Sequence, residues 1–355
     1  MSIIDKYIIS NILKGVFAVT LVLISISSLM DFLYQLNQIG NGSYFILDAI
    51  TYICLGIPRL IVQTLPVAAL IGALLSLGSL SQNHELIVIR SSGVSTMRLV
   101  KSVSLAGLIL FLIMMILSQS IAPSFGSYAQ QYRTQKLNNT IEIPNLSTIW
   151  LKDGNNIINL KKSDNNSNFN GIYIFETDGY KNINKLSKSE TGRIDENNNW
   201  ILTNHEETIF QENKTTSNSE IQIIKKYSLS PEILGLSEVQ HDFLNNQNLS
   251  RYIQYLEENE LDSKRYHIAF WSRIADSTSV LLMTILALPF VVGSLRSASI
   301  GRKLITGLLI GLAYYISAEA FINSGEVYNI NAFIVAWTPT SLLLILNFFL
   351  LLRIK

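Results

Sequence analysis

Cysteine, charged residues and common catalytic motifs are all scarce in this chain. Cys54 is the one cysteine among 355 residues, so the sequence predicts no internal disulfide and no thiolate metal site. Charged residues make up 15% of the chain, whereas soluble proteins contain about 25%. The net charge of +1 leaves no strong field of one sign that would attract nucleic acid. These shortages argue against a soluble enzyme, a disulfide scaffold and a nucleic-acid-binding protein.

Motifs for nucleotide, metal and acyl chemistry are also missing from the sequence. No Gly-x-x-x-x-Gly-Lys-Ser/Thr segment is present, which excludes ATP binding by a P-loop. His205-Glu206 resembles the start of a zinc-protease motif, but Ile209 stands where the second histidine must be. No Gly-x-Ser-x-Gly elbow occurs either. We therefore predict that the chain is not an enzyme, has no catalytic residue or metal site, and binds no cofactor itself.

Long apolar runs dominate what the sequence does contain. Hydrophobic residues form 48% of the chain, and a helix needs about 20 apolar residues to cross the hydrocarbon of a bilayer. Runs of this kind predict six transmembrane helices, three on each side of a polar segment. They are Ile12 to Met30, Leu60 to Leu80, Leu99 to Ile121, Phe270 to Val292, Leu304 to Ile322 and Phe333 to Leu352.

The short loops between these runs differ in their content of lysine and arginine. The loops 37–48 and 323–331 contain neither residue. The loops after the second and fourth runs hold Arg90, Arg98, Lys101, Arg296, Arg302 and Lys303. Because cytoplasmic loops carry the excess of cations, this asymmetry places both termini in the cytoplasm and residues 122–266 outside it.

The segment 122–266 is polar and is typical of a β-domain. Short apolar strands are separated by turn signals such as Asp153-Gly154-Asn155 and Asp178-Gly179. They predict an antiparallel sandwich or jelly roll inserted between helices three and four, which divides the chain into 1–121, 122–266 and 267–355. Leu249 to Asn259 reads as a helix that Ser250 could cap.

Few charged residues lie in or next to the predicted spans. Glu319 is inside the fifth span, where a carboxylate is expensive and often functional, although a neutral hydrogen-bonded Glu is an equal alternative. Arg273 and Asp276 are three residues apart and could pair on one helix face. Arg59 could snorkel to the interface, and Arg133 could be a solvated surface charge.

The loop after the second span contains a short amphipathic segment. Gln82 to Arg90 predicts a helix that Ser81 or Asn83 could cap, and that ends at Gly93. Glu85 in its first turn and Arg90 in its last turn suit the helix dipole. The segment is either a docking helix for a cytoplasmic partner or an ordinary interfacial helix.

The order and spacing of several motifs resemble one known family over essentially the whole chain. The three-plus-three helix layout with an inserted β-domain is similar to the LptF/LptG permeases of the lipopolysaccharide exporter, and most like its LptG branch. The motifs that carry the resemblance are Leu80-Ser81-Gln82 through Val88, Ser92-Gly93-Val94 to Met97, Gly40 to Tyr44, Trp150 to Asn156, Tyr132-Arg133 and Gly293 to Ser297.

The resemblance implies a permease subunit of an ABC transporter in the bacterial inner membrane. It implies a heterodimer with an LptF-like permease, a dimer of an LptB-like ATPase that binds ATP and Mg²⁺, and an LptC-like bitopic protein that receives lipopolysaccharide at the periplasmic β-domains. It also implies that a coupling helix at about 82–92 contacts the ATPase. The coupling residues would be His84, Glu85, Leu86 and Arg90.

One departure from the family concerns the lipid headgroup. Relatives of the LptG branch often carry lysines at the outer end of the first helix, where this chain has Asp31, Asn37 and Gln38. Either Arg59, Arg133 and Arg273 bind the headgroup phosphates instead, or the lipid carries fewer phosphates. Arginine suits such a role because it can bind phosphate oxygens in a bidentate manner.

Two functions of other classes compete with export by an ABC transporter. A stand-alone secondary transporter would need polar or broken helices at the midplane, and Glu319 and Pro66 are the hints of them. A membrane-anchored envelope assembly protein would use the β-domain for binding and the helices as anchors. Co-purification of an ATPase would separate the first reading from these two.

Overall fold

The computed structural model describes residues 3–137, 148–162, 168–179, 182–195, 197–211, 214–237, 240–292, 299–328 and 330–353. The chain forms two compact units, one from Met1–Leu137 with Lys264–Lys355 and the other from Asn138–Ser263. The first unit is helical and the second is built on a β-sheet. The motif Gly293 to Ser297 and Arg296 lie outside the described residues.

Ten α-helices occur in the described part of the chain. They are α1 (Ile3–Leu36), α2 (Ile46–Gln82), α3 (Glu85–Ser91), α4 (Thr96–Ile116), α5 (Ala122–Leu137), α6 (Pro231–Ser237), α7 (Asn246–Glu258), α8 (Lys264–Val292), α9 (Ile300–Val327) and α10 (Ala332–Leu352). A π-helical turn, Leu117–Ile121, joins α4 to α5 so that they form one long rod.

Six of the described helices are long and apolar enough to cross a membrane, which confirms the predicted number of spans. They are α1, α2, the α4–α5 rod, α8, α9 and α10. Their ends reach beyond the apolar runs: α1 has 34 residues and α2 has 37. The predicted boundary at residue 122 therefore lies inside a continuous helix, and the helical unit runs on to Leu137. Backbone hydrogen bonding continues the helices through polar residues after the hydrocarbon-length run has ended.

Helices α2 and α8 form the centre of the helical unit. Their apolar windows are 61% and 67% buried, whereas those of α1 and α9 are 11% buried. The core includes Leu70, Leu74, Met283 and Leu286, each fully enclosed. Pro58 and Pro66 are tolerated inside α2 because neighbouring helices can satisfy the backbone groups that proline frees.

The backbones of α1 and α2 approach each other closely where glycine leaves room between them. A Cβ atom added at Gly72 would lie 2.5 Å from the Cα atom of Val16, so only glycine fits there. The hydroxyl of Ser76 donates to the carbonyl of Asn11 at 2.9 Å across the same contact. Small residues at helix contacts are the usual means of packing in membranes, since lipid supplies no hydrophobic drive between helices.

The second unit contains one antiparallel sheet whose strands neighbour each other in chain order, which confirms the predicted insertion of a β-sheet; α6 and α7 lie in the same unit. The strands are β1 (Thr148–Asp153), β2 (Asn156–Lys162), β3 (Asn168–Asp178), β4 (Asn182–Ile194), β5 (Asn199–Gln211) and β6 (Lys214–Lys226). The predicted turn at Asp153-Gly154-Asn155 is present, and Gly154 adopts a φ of 60°, which favours glycine. Every described strand pairs with the next one in sequence as a hairpin would.

The β-unit contains an aromatic core, and α7 is bonded to the edge strand β1. Trp200 is fully buried, stacks on Phe169 with ring centroids 5.8 Å apart, and meets Tyr227 edge-on at 5.5 Å. The hydroxyl of Tyr255 on α7 donates to the carbonyl of Lys152 at 3.0 Å, which ties α7 to β1. The predicted cap of this helix is wrong: Asn245, not Ser250, accepts the backbone N–H of Asn248 at 2.8 Å.

Candidate functional sites

The short helix α3 lies at the end of the helical unit that also holds the start of α1. Helix α3 begins at Glu85, three residues later than predicted, and neither predicted cap is used. Its N-cap is His84 in the left-handed region with a φ of 63°, so the backbone turns sharply before the helix starts. The carbonyl of His84 then accepts the N–H groups of Ile87 and Val88 at 3.1 Å.

The predicted coupling residues divide between the two sides of α3. Leu86 is 5% exposed and belongs to the core of the helical unit, so it anchors the helix and does not contribute to an outer surface. His84 and Arg90 are exposed, and Glu85 is half-buried. Val88 is 64% exposed beside them. The structure thus gives α3 one anchored face and one accessible face of mixed charge.

Two residues of α1 contact the segment around α3, and sequence reasoning missed both. The hydroxyl of Tyr7 donates to Oε2 of Glu85 at 2.8 Å. Asp5 accepts a hydrogen bond of 2.8 Å from the hydroxyl of Ser102 and lies 3.8 Å from Nε of Arg98, both on α4. These pairs are 78 to 97 residues apart in sequence, so no local sequence pattern predicts them.

The sequence predicts Lys303 in a loop between two spans, but the structure buries it in a helix. It lies in the first turn of α9, is 1% exposed, and donates from Nζ to the carbonyl of Gly78 at 3.1 Å. A Cβ atom at Gly78 would lie 2.7 Å from that Nζ, so glycine makes room for the lysine. Because Gly78 lies in the last turns of α2, the ammonium group also suits the negative end of that helix dipole.

The opposite end of the helical unit carries a tight polar contact between α2 and α5. Asp48 accepts the hydroxyl of Tyr132 at 2.5 Å and the N–H of Phe45 at 2.9 Å, and lies 3.3 Å from Nζ of Lys136. The hydroxyl of Ser43 donates to the carbonyl of Lys136 at 3.1 Å. These bonds fix the end of α5 on which Arg133 lies.

The three arginines predicted to bind a headgroup have different surroundings. Arg133 is half-buried, lies over the ring of Tyr52 at 5.5 Å, and its buried Nε has no hydrogen-bond partner in the described part of the chain. Arg59 is exposed on α2 and is close enough to Asp31 for their charges to interact. Arg273 is half-buried on α8. Arg133 is thus held by an aromatic ring, whereas a carboxylate lies within range of Arg59.

Glu319 lies on the exposed side of α9 but does not stand alone. Its charge interacts with that of Asp276 on α8. Nearby, the hydroxyls of Tyr314 and Thr340 are 3.2 Å apart, and Thr340 donates to the carbonyl of Ala275. Tyr314 of α9, Thr340 of α10 and the backbone of α8 therefore meet within the spans, whereas Glu319 lies on the exposed side of α9.

Charged groups on the sheet form a separate cluster. Nδ1 of the buried His205 lies 2.8 Å from the hydroxyl of Ser189, and its Nε2 lies 3.6 Å from Glu207. Nζ of Lys185 lies 2.6 Å from the same carboxylate, and Nζ of Lys225 lies 3.8 Å from it. Burial lowers the pKa of His205. Burial alone would raise the pKa of Glu207, but Lys185 and Lys225 hold it below its usual value.

No group of three or more His, Cys, Asp or Glu residues within the described ranges has the arrangement of a metal site. Six apolar spans around an inserted sheet define a multi-pass membrane protein, and a short anchored helix at one end is a surface on which a partner could act. Comparison with known proteins names the family. The family model described as "Lipopolysaccharide export system permease LptF/LptG" matches residues 6–353, and the chain belongs to this family.

Individual relatives match over nearly their full lengths. The chain is 30% identical over 353 residues to the lipopolysaccharide export system permease protein LptG of Escherichia coli (strain K12), covering 99% of this chain and 98% of that protein. It is 29% identical over 350 residues to the LptG protein of Haemophilus influenzae, covering 98% of each. The resemblance found in the sequence is thereby confirmed, and the chain is an inner-membrane multi-pass protein.

Proposed function

We propose that this chain is the permease subunit of an ABC transporter that extracts lipopolysaccharide from the bacterial inner membrane and passes it to a periplasmic bridge. The observation that carries the proposal is the match to LptG proteins over 98–99% of both chains, on a fold with the expected spans and inserted sheet. Neither a stand-alone transporter nor an assembly protein is favoured by any contact described above.

The proposed partners follow from what the chain does not contain. Its sequence has no P-loop, so ATP and Mg²⁺ bind to a separate LptB-like ATPase dimer. The accessible face of α3, with His84, Glu85 and Arg90, is the contact for that ATPase. A carboxylate such as Glu85 accepts charge-assisted hydrogen bonds from a cationic partner. An LptF-like permease completes the transmembrane pathway, and an LptC-like protein receives the lipid at the β-unit.

The proposed substrate contact lies at the Arg133 end of the helical unit. A glycolipid with acyl chains and phosphates requires an apolar surface and cations at its rim. The ring of Tyr52 holds the Arg133 guanidinium while its Nε lacks a hydrogen-bond partner in the described structure, so its N–H group is available to donate a hydrogen bond to a phosphate oxygen. Arg59 contributes less because Asp31 attracts it. Arg273 is the third proposed contact.

The proposed orientation places both termini and α3 in the cytoplasm and the β-unit in the periplasm. In a Cys54→Ser background, we expect Met97→Cys, in the first turn of α4, to react with an impermeant maleimide only when the cytoplasmic side is accessible. Ser219→Cys on β6 should react from the periplasmic side. Both positions are exposed, so lack of reaction would reflect sidedness and not burial. Exchange of the two patterns would contradict the orientation.

The decisive test of the proposed function is co-purification followed by reconstitution. An affinity-tagged chain expressed in its own host should bring down a P-loop ATPase and a second permease. The reconstituted complex should release lipopolysaccharide from proteoliposomes only with ATP. Export by the chain without any ATPase would instead show a stand-alone transporter. Stable binding of envelope proteins without lipid release would show an assembly protein.

A further inference from the structure

Helix α1 is packed along its first half and open along its second half. Ile8, Ile9, Ile12 and Val16 are at most 5% exposed. After Thr20, the one buried residue of α1 is Gln35. Most of the large apolar side chains in between, such as Leu21, Leu29 and Met30, are half-exposed or more, whereas Leu23, Ile24 and Phe32 are partly buried. A rigid helix held at one end carries any displacement of that end along its length. The contacts at the start of α1 therefore decide how the whole helix moves.

Three side-chain hydrogen bonds attach the first half of α1 to its neighbours. The Ser76–Asn11 bond reaches α2, and the Ser102–Asp5 bond reaches α4. The bond from Tyr7 to Glu85 reaches α3. Helix α3 is joined to α2 and α4 through left-handed turns at His84 and at Gly93, whose φ is 92°. Helix α3 has seven residues, and the Tyr7 bond is a direct side-chain connection from α1 to it.

The carboxylate of Glu85 can serve α1 and a partner at the same time. An ionised carboxylate has about four lone-pair sites, and the Tyr7 hydroxyl occupies one site on Oε2. The other oxygen can accept from a cation of the ATPase. Tyr7 thus holds the group that the partner would engage. Tyr7 itself is 45% exposed, so removal of its hydroxyl leaves no unsatisfied buried group.

We infer that Tyr7 is a positioning residue that makes α1 move with α3 through its hydrogen bond to Glu85. This inference rests on the proposed function, because the ATPase supplies the movement of α3. In this inference, Tyr7 transmits the movement of α3 to α1, and the charge of Glu85 makes the contact with the ATPase. The two roles can be separated by single substitutions.

The test compares three substitutions in the full complex. Tyr7→Phe removes the hydroxyl and keeps Glu85. Glu85→Gln removes the charge and keeps a carbonyl oxygen that can accept from Tyr7. Tyr34→Phe is the matched control, because it removes an exposed hydroxyl near the other end of the same helix. Spin labels at Lys14→Cys and at Ser92→Cys, the exposed residue that ends α3, with Cys54→Ser, report the distance between α1 and α3.

We expect Tyr7→Phe to retain the ATPase but to broaden the α1–α3 distance distribution and to abolish its ATP-dependent shift. Lipopolysaccharide released per ATP hydrolysed should fall about 3–10-fold, the range for loss of one partly exposed hydrogen bond to a charged group. Glu85→Gln should keep the distance distribution and weaken association with the ATPase. Tyr34→Phe should match the wild type in every measurement.

The outcomes separate this inference from the function on which it rests. If the wild-type chain retains no ATPase, the proposed function fails, and the inference fails with it. If the ATPase is retained and Tyr7→Phe behaves like Tyr34→Phe in distance and in release per ATP, the inference alone is overturned. A thermal unfolding midpoint for Tyr7→Phe equal to that of Tyr34→Phe establishes that a loss of coupling is not a loss of fold.

Discussion

The two units differ in how they accommodate polar groups in their interiors. In the helical unit, the buried hydroxyls of Ser277 and Thr284 donate to carbonyls four residues earlier in their own helix, at 2.7 and 2.8 Å. In the β-unit, Ser189, His205 and Glu207 interact across strands with lysines on both sides. The first arrangement is local, and the helical unit adds polar contacts between helices through Lys303, Asp48 and Thr340, so helix packing and these contacts together decide its stability. The second arrangement is titratable and makes stability depend on pH.

The largest expected effect tests the role of packing in the helical unit. Gly72→Ala should lower the free energy of unfolding by about 1–3 kcal/mol, because the new Cβ meets the backbone of Val16, which cannot rotate away. Gly56→Ala on the same helix has open space around it and should raise stability by about 0.5–1 kcal/mol through helix propensity. Thermal unfolding of both variants in detergent measures the difference. Equal midpoints would contradict the view that the α1–α2 contact is close-packed.

The sequence predicts the helical unit better than the sheet for a physical reason. Six apolar runs predict six spans, because almost every side chain of a helix that crosses lipid must be apolar. Strand β4 is not predicted, because three of the four positions that it buries are Ser187, Ser189 and Gly192, and Ile194 at its end is the one large apolar residue among them. A strand of that composition shows no alternation of apolar and polar residues.

The candidate sites show the same limit. The amphipathic pattern predicts α3 and places Glu85 and Arg90 in its first and last turns, as the structure confirms. The pattern does not reveal that Leu86 points into the core or that Tyr7 contacts Glu85. The sequence alone allows Arg133 to be a solvated surface charge. Its position over Tyr52 arises only because α5 packs against α2. Contacts between distant segments follow from packing, which one sequence does not display.

A smaller effect, on lipid binding, is expected from removing the charge of Arg133 in the helical unit. Arg133→Gln should reduce photocrosslinking of lipopolysaccharide by about tenfold, the lower end of the range for one hydrogen bond to a charged group. Arg133→Lys should retain part of the binding, since lysine keeps the charge but loses the planar stacking on Tyr52. Arg353→Gln, at the end of α10, is the control for the change of net charge. Unchanged crosslinking in Arg133→Gln, with the ATPase still bound, would remove Arg133 from the proposed contact.

The smallest expected effect tests the titratable interior of the β-unit. Burial keeps the pKa of His205 below its value in the unfolded chain, which is about 6.5. The unfolded chain therefore binds a proton at this residue first as the pH falls, so the contribution of His205 to stability is lost below about pH 6.5 and is constant above it. The slope should reach at most about 1.4 kcal/mol per pH unit, the limit for one proton. The slope is measured by urea unfolding at several pH values, followed by the fluorescence of Trp200 in a variant whose other three tryptophans are replaced by phenylalanine.

His205→Gln distinguishes this cause from the carboxylate beside it. The pKa of Glu207 is also lowered, so its contribution is lost only in more acid solution, below the usual value of about 4.3. The His205→Gln variant should therefore flatten the stability profile between about pH 7 and pH 5.5 and leave the loss at lower pH. Gly72→Ala should shift the unfolding of the helical unit without a change in this slope. A slope that persists in His205→Gln would mean that charge at this cluster does not set the pH dependence of the sheet, and the contrast between the two units would then be one of packing alone.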